Sequence, residues 1–158
     1  MGEWYWWDMK IAWPKDTACE LAFNYILVKL DRCIGNEAGW WCAKEYDPSW
    51  NLGNYFRKVG YQYDFYNKER PYYTETHGAI SGIQTQCTNS DGTESWLMQS
   101  NVFCKGNPFG SKSGDPVYAV WEDEPCVIGL SNICDTNKHS ILTGGPGMVA
   151  MIEKHKYD

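Results

Sequence analysis

The sequence predicts an all-β domain of antiparallel strands, closed as a barrel or stacked as a sandwich. Short runs rich in β-branched and aromatic residues recur along the chain, and Gly, Asn, Asp or Pro punctuates the gaps between them. Aromatic side chains make up 16% of the residues, with 9 Trp and 11 Tyr, and such rings favour a pleated, half-buried surface. At 158 residues and 43% hydrophobic content, the chain is long and apolar enough to bury a core rather than stay disordered.

Residues 21–30, Leu-Ala-Phe-Asn-Tyr-Ile-Leu-Val-Lys-Leu, read as a buried strand, with a short helix as the alternative. Residues 31–53 carry Gly, Asn and Pro throughout and read as loop. Lys58 to Tyr61 opens another strand, and Tyr72 to Gln86 reads as a long one that Gly78 and Gly82 bend or bulge. Asn89-Ser90-Asp91-Gly92 is a turn, and Ser95 to Cys104 is its hairpin partner. Val117 to Trp121 and Cys126 to Asn132 form a second hairpin around a turn at 122–125. Gly144 to Gly147 is a tight loop, and Met148 to Lys156 reads as a closing strand running into a short C-terminal helix.

Composition narrows the partners. A formal charge of −6 disfavours phosphate backbones, so no nucleic acid is expected. No apolar stretch is long enough for a membrane span. The 7 cysteines exceed cytosolic habit and lack a Cys-x-x-Cys pair, which points to disulfides rather than to a metal site, and no cofactor is expected. Cys33 with Cys42, and Cys126 with Cys134, would close short loops. Cys104 is a further candidate, the connectivity is open, and an odd count leaves a thiol free or bridged to another chain. Disulfides imply a secreted protein or another oxidising compartment. Yet Met1-Gly2-Glu3-Trp4 begins no signal peptide and the chain has no Asn-x-Ser/Thr sequon, so either a signal is absent or Met1 is not the natural start.

Several segments then line up with one family. Asn24-Tyr25-Ile26-Leu27-Val28-Lys29-Leu30-Asp31-Arg32-Cys33-Ile34-Gly35-Asn36 resembles the strand that carries the catalytic aspartate in trypsin-like serine peptidases, nearest to the glutamyl-endopeptidase-like branch. Val59-Gly60-Tyr61 resembles the turn that opens that family's second barrel, and Ser113-Gly114-Asp115-Pro116-Val117 resembles its nucleophile segment. Val127 to Ser131 resembles the strand flanking the substrate main chain, and Gly147 to Lys156 the last strand and terminal helix. The resemblance implies a trypsin-like antiparallel β-barrel. It divides the chain, as one domain, into an aromatic N-terminal segment (1–20), the end of a partial first barrel with a linker (21–57), and a complete second barrel with its helix (58–158).

The resemblance makes Ser113 the nucleophile position, and Ser131 and Asn132 the lining of a vestigial specificity pocket. It also exposes what the chain lacks. The family's aspartate accepts the imidazole N–H and stabilises the imidazolium, and here that position is Asn24, which does neither. No histidine precedes Asn24; His77, His139 and His155 all follow it, at positions that do not match the family's base. His139 as a substitute base, or Asp16 or Asp31 as a substitute carboxylate, are the routes to rescue. The oxyanion hole, formed by the backbone N–H groups of Ser111 and Ser113, has Ser111 where the family places glycine.

The expectation is therefore a catalytically inactive peptidase homologue that acts as a structural or interaction subunit. A protein partner would cover the missing first-barrel strands, with Trp4, Trp6, Trp7 and Trp13 at the interface. The alternatives are an endopeptidase half-chain completed in trans by a histidine-bearing partner, and a monomeric module binding peptide or glycan through its aromatic surface.

Overall fold

The computed structural model describes residues 3–5, 17–32, 34–52, 56–60, 72–100, 114–135, 137 and 139–155. In chain order these form β1 (Glu3–Tyr5), α1 (Thr17–Ala22), β2 (Leu27–Lys29), α2 (Gly35–Ala38), β3 (Cys42–Ala43) and a 3₁₀ turn (Pro48–Leu52). Next come β4 (Phe56–Gly60), β5 (Tyr72–Gly78), β6 (Ile80–Thr88), β7 (Glu94–Ser100), β8 (Pro116–Trp121), β9 (Glu124–Cys134), β10 (Ser140–Gly144) and α3 (Pro146–His155). The protein is thus mostly antiparallel β-sheet with a short C-terminal helix, and no helix among the described residues is long and apolar enough to cross a membrane.

The main sheet runs β5-β4-β8-β9-β10-β7-β6. Its two outermost strands, β5 and β6, are consecutive in the chain, with only Ala79 between them. β3 joins in parallel to the first half of β9, the stretch that β10 does not reach. β1 and β2 form a separate antiparallel pair in which Trp4 opposes Val28.

The central strands bury both faces, and successive residues enter different cores. Met98, Ile128 and Leu142 join Phe56, Ile80, Val117 and Tyr46 in one cluster. Their neighbours Leu97, Val127 and Ile141 join Ala22, Phe23, Tyr25, Met148 and Met151 in another. Period-two alternation with apolar residues on both sides gives continuous apolar runs, which made β7, β8 and β9 legible as strands. The second cluster is roofed by α1, by residues 23–27 and by α3, so the chain itself covers much of that face. Gly129 and Gly144 oppose each other across β9 and β10, and a Cβ on either would come within 2.9 Å of the buried Met98 side chain.

Several elements depart from the sequence reading. Residues 21–30 are not one buried strand: Leu21 and Ala22 end α1, only Leu27–Lys29 is strand, and Ile26, Val28 and Leu30 face outward. The region 31–53 holds short elements inside its loop. Met148 to Lys156 contains no strand among its described residues. The helix starts at Pro146, where a missing N–H costs nothing, and Lys154 and His155 complement its C-terminal end. The closing strand is β10, which the sequence reading missed. The turn at 122–125 tightens to two residues, Glu122 and Asp123, both at positive φ.

The disulfide pairing also differs from the short loops expected. Cys42 bonds to Cys126, with Cα atoms 4.3 Å apart, and Cys19 bonds to Cys87 at 5.5 Å. The first follows from β3 lying against β9, where Cys42 and Cys126 are register partners. The second ties α1 to β6. Cys134 is also disulfide-bonded, while Cys33 and Cys104 lie outside the described residues. These bridges fit an oxidising compartment.

Replacing Cys19 and Cys87 together by serine is expected to destabilise the fold by about 2–5 kcal/mol, read by denaturant unfolding, because the bridge closes a loop of 68 residues. Non-reducing peptide mapping should return Cys19–Cys87 and Cys42–Cys126 peptides, and not Cys33–Cys42 or Cys126–Cys134.

Candidate functional site

The site grows from the way α1 ends. A helix leaves its last carbonyls without intrahelical donors, and here the sheet supplies them. Ser95 Oγ on β7 donates to Ala22 O at 2.7 Å, and Thr143 Oγ1 on β10 donates to the same oxygen. Asn132 Nδ2 on β9 donates to Leu21 O at 3.1 Å. Three strands thus hold the helix end at a fixed height above the sheet.

Asn24 follows directly. Its backbone N–H donates to Leu21 O at 3.2 Å, and its side-chain Nδ2 donates to Asn132 Oδ1 at 3.1 Å. Asn132 therefore bridges, giving its amide N–H to the helix and accepting from Asn24. Its position depends on an irregularity in the β9–β10 register: Ile141 opposes Ile133 but Leu142 opposes Ser131, which leaves Asn132 as the extra residue of a bulge.

The turn before β8 meets the same stretch of β9. Gly114 adopts φ 87, a left-handed conformation that glycine accepts without strain. Its N–H donates to Ser131 O at 2.7 Å, and Ser131 N–H donates to Asp115 O at 2.8 Å. On the side-chain level, Lys58 Nζ lies 3.0 Å from Asp115 Oδ2 and donates to Ser131 Oγ at 2.9 Å. Ser131 Oγ is 3.4 Å from Ser140 Oγ. Ser131 and Asn132, which the resemblance puts in a specificity pocket, are thus buried and each is engaged with the chain itself. An ammonium engaged with a carboxylate has no lone pair to offer, so Lys58 is not a base for Ser131.

His139 sits elsewhere, at the start of β10. Its Nδ1 is 3.0 Å from Asp135 Oδ2 and 2.6 Å from Gln99 Nε2, and Gln84 hydrogen-bonds Gln99 in turn. The imidazole is thus held by the β9–β10 connection and by β7. Partial burial pushes the Asp135 carboxyl up. The hydrogen bonds from the His139 main chain and ring, the His139 charge and the Asn137 N–H outweigh this and hold it below the ordinary carboxylate range.

Of the other sequence candidates, Trp4 is placed only as backbone in β1; Ser111, Ser113, Trp6, Trp7 and Trp13 lie outside the described residues. Sequence reasoning missed Lys58 because a lysine within a strand carries no signal that its partner, Asp115, lies next to it in space. It also missed two exposed rings. Trp40 is 67% exposed beside Gly35, and Trp41 is 43% exposed with its ring centroid 4.4 Å from that of Tyr118. Among the described residues, no group of three or more His, Cys, Asp or Glu is placed to hold a metal ion.

Because the Asp135 carboxyl is lowered in the fold, its contribution is complete above the ordinary carboxylate value and is lost as pH falls through the folded-state value. Asp135→Asn should therefore lower Tm at neutral pH. The gap from the unsubstituted protein should narrow on acidification below about pH 4, followed by thermal unfolding across a pH series. No protein-family model, no curated protein and no solved structure matches this chain.

Proposed function

We propose that this chain is a trypsin-like serine-peptidase homologue that has lost catalysis and serves as a protein-interaction subunit. The contact between Asn24 and Asn132 carries the proposal. The family resemblance assigns these two positions, 108 residues apart in sequence, to the aspartate strand and to the pocket strand. The contact supports that assignment, and its chemistry opposes catalysis. An amide whose N–H₂ is given to Asn132 does not supply the charge that an imidazolium needs, and the corresponding replacement in the handed-down triad costs about 10⁴ in turnover. This loss stands whichever chain supplies a histidine.

Other features support the family. A sheet whose first and last strands are β5 and β6, joined by one residue, is the order expected of a strand that bends across and closes a barrel. The turn at Gly114 is bonded to Ser131, as a nucleophile turn beside a substrate-flanking strand would be. The interaction role draws on residues 25–30, around β2: Tyr25 and Leu27 pack with the core, while Ile26, Val28 and Leu30 present an apolar row outward. A strand apolar on both faces is suited to being covered on both, and the occupant in this proposal is a protein partner. Disulfides accord with a secreted setting.

A fluorophosphonate probe should leave Ser113 unlabelled under conditions that label an active serine peptidase, as read by intact mass. Labelling at Ser113 would sink the proposal. Native mass of the purified particle should show a stoichiometric partner, and Val28→Asp should release it.

The exposed Trp40 and Trp41 favour a second reading, a module that binds glycan or peptide on preorganised rings. On that reading the protein is monomeric, and calorimetric titration with soluble oligosaccharides gives an affinity that Trp40→Ala or Trp41→Ala weakens at least about tenfold.

A further inference from the structure

Lys58, Asp115, Ser131 and Ser140 form a buried polar cluster at the sheet. Phe56 and Lys58 are buried while Arg57 between them is half-buried, so Lys58 faces the same side as a core phenylalanine. Lys58 is 5% exposed and Asp115 7%, and the two serines are more deeply buried still. The four side chains come from separate places: β4, the turn before β8, β9 and β10.

Burying an ion pair rarely stabilises a fold against an apolar replacement of the same shape, because both ions lose their hydration. The cluster therefore calls for an account other than stability. Its layout is that of a receptor. A carboxylate supplies the charge at 3.0 Å, and a hydroxyl accepts a hydrogen bond at 2.9 Å. A second hydroxyl stands 3.4 Å behind the first and can orient it. The contacts converge on one compact nitrogen, the demand of an ammonium rather than of a planar guanidinium, which would call for paired, parallel acceptors.

We propose that Asp115, Ser131 and Ser140 form a binding site for a primary ammonium group, which Lys58 of the same chain fills in cis and thereby closes to ligands from outside. The site holds whether or not the chain descends from a peptidase. It also has a consequence for the pocket strand: the Ser131 hydroxyl is committed to an internal ligand, so an external basic side chain meets an occupied site.

The test empties the site and refills it. Lys58→Ala removes the ammonium and leaves Asp115 buried without it, so its Tm should fall well below that of the unsubstituted protein. Propylammonium chloride, titrated to tens of millimolar, should restore part of that loss in a saturable way. Tetramethylammonium and methylguanidinium chloride at equal concentrations should not. The unsubstituted protein and Lys58→Ala combined with Asp115→Ala should not respond to propylammonium either. Equal restoration by all three salts, or an equal response in the unsubstituted protein, would overturn the proposal. Should Lys58→Ala fail to fold, nitrogen-15 lysine spectra of the unsubstituted protein decide. One ammonium should exchange its protons slowly enough to be observed, and Asp115→Asn should abolish that signal. If every lysine ammonium exchanges at the rate of a surface lysine, the site does not exist.

Discussion

The end of helix α1 is the point on which the rest of the site depends. Two carbonyls, Leu21 O and Ala22 O, take donors from β7, β9 and β10. Unpaired, those oxygens would sit against a buried apolar cluster, at a cost of about 1–3 kcal/mol each. Paired, they fix where the chain leaves the helix, and so where Phe23 and Tyr25 enter the second core and where Asn24 meets Asn132. Cys19–Cys87 closes the same arrangement covalently one turn earlier. Ser95 shows how tightly it is drawn, since its hydroxyl lies within 2.9 Å of both Ala22 O and Gly144 O.

That docking also decides how the faces of the sheet are covered. A sheet with two apolar faces must have both covered. Here α1, residues 23–27 and α3 cover much of one face. Exposed apolar side chains remain at Ile26, Val28 and Leu30, in and beside β2, and at Trp40, Trp41, Val120 and Ile133.

How much was legible in the sequence follows from where the determining interactions lie. The β8–β9 hairpin was readable because its apolar runs and its turn are local. Tyr72 to Gln86 was read as one bent strand, whereas the chain divides at Ala79 into β5 and β6; the irregularity at Gly82, where the register with β7 shifts, was readable from the glycine. Ser140-Ile141-Leu142-Thr143-Gly144 was not read as a strand, because two hydroxyl residues interrupt its pattern. Both hydroxyls turn out to face polar partners, Ser140 beside Ser131 and Thr143 on Ala22 O. Residues 148–152 fit strand and helix equally, and Pro146 decided for the helix. The cysteine pairs failed for the same reason as Lys58: sequence spacing favours short loops, whereas register placed Cys42 on Cys126.

The two polar centres on β9 illustrate how neighbouring residues can take opposite roles. Ser131 faces the interior and serves Lys58, while Asn132 serves the helix and Asn24. The bulge lets both occur in succession, because the extra residue breaks strict pairing with β10 without ending the strand. On this strand Ser131 N–H and O are taken by the turn at 114–115, and both side chains are taken by the chain itself. The polar groups of these two residues thus bind the turn at 114–115, Lys58, the end of α1 and Asn24 to one stretch of β9.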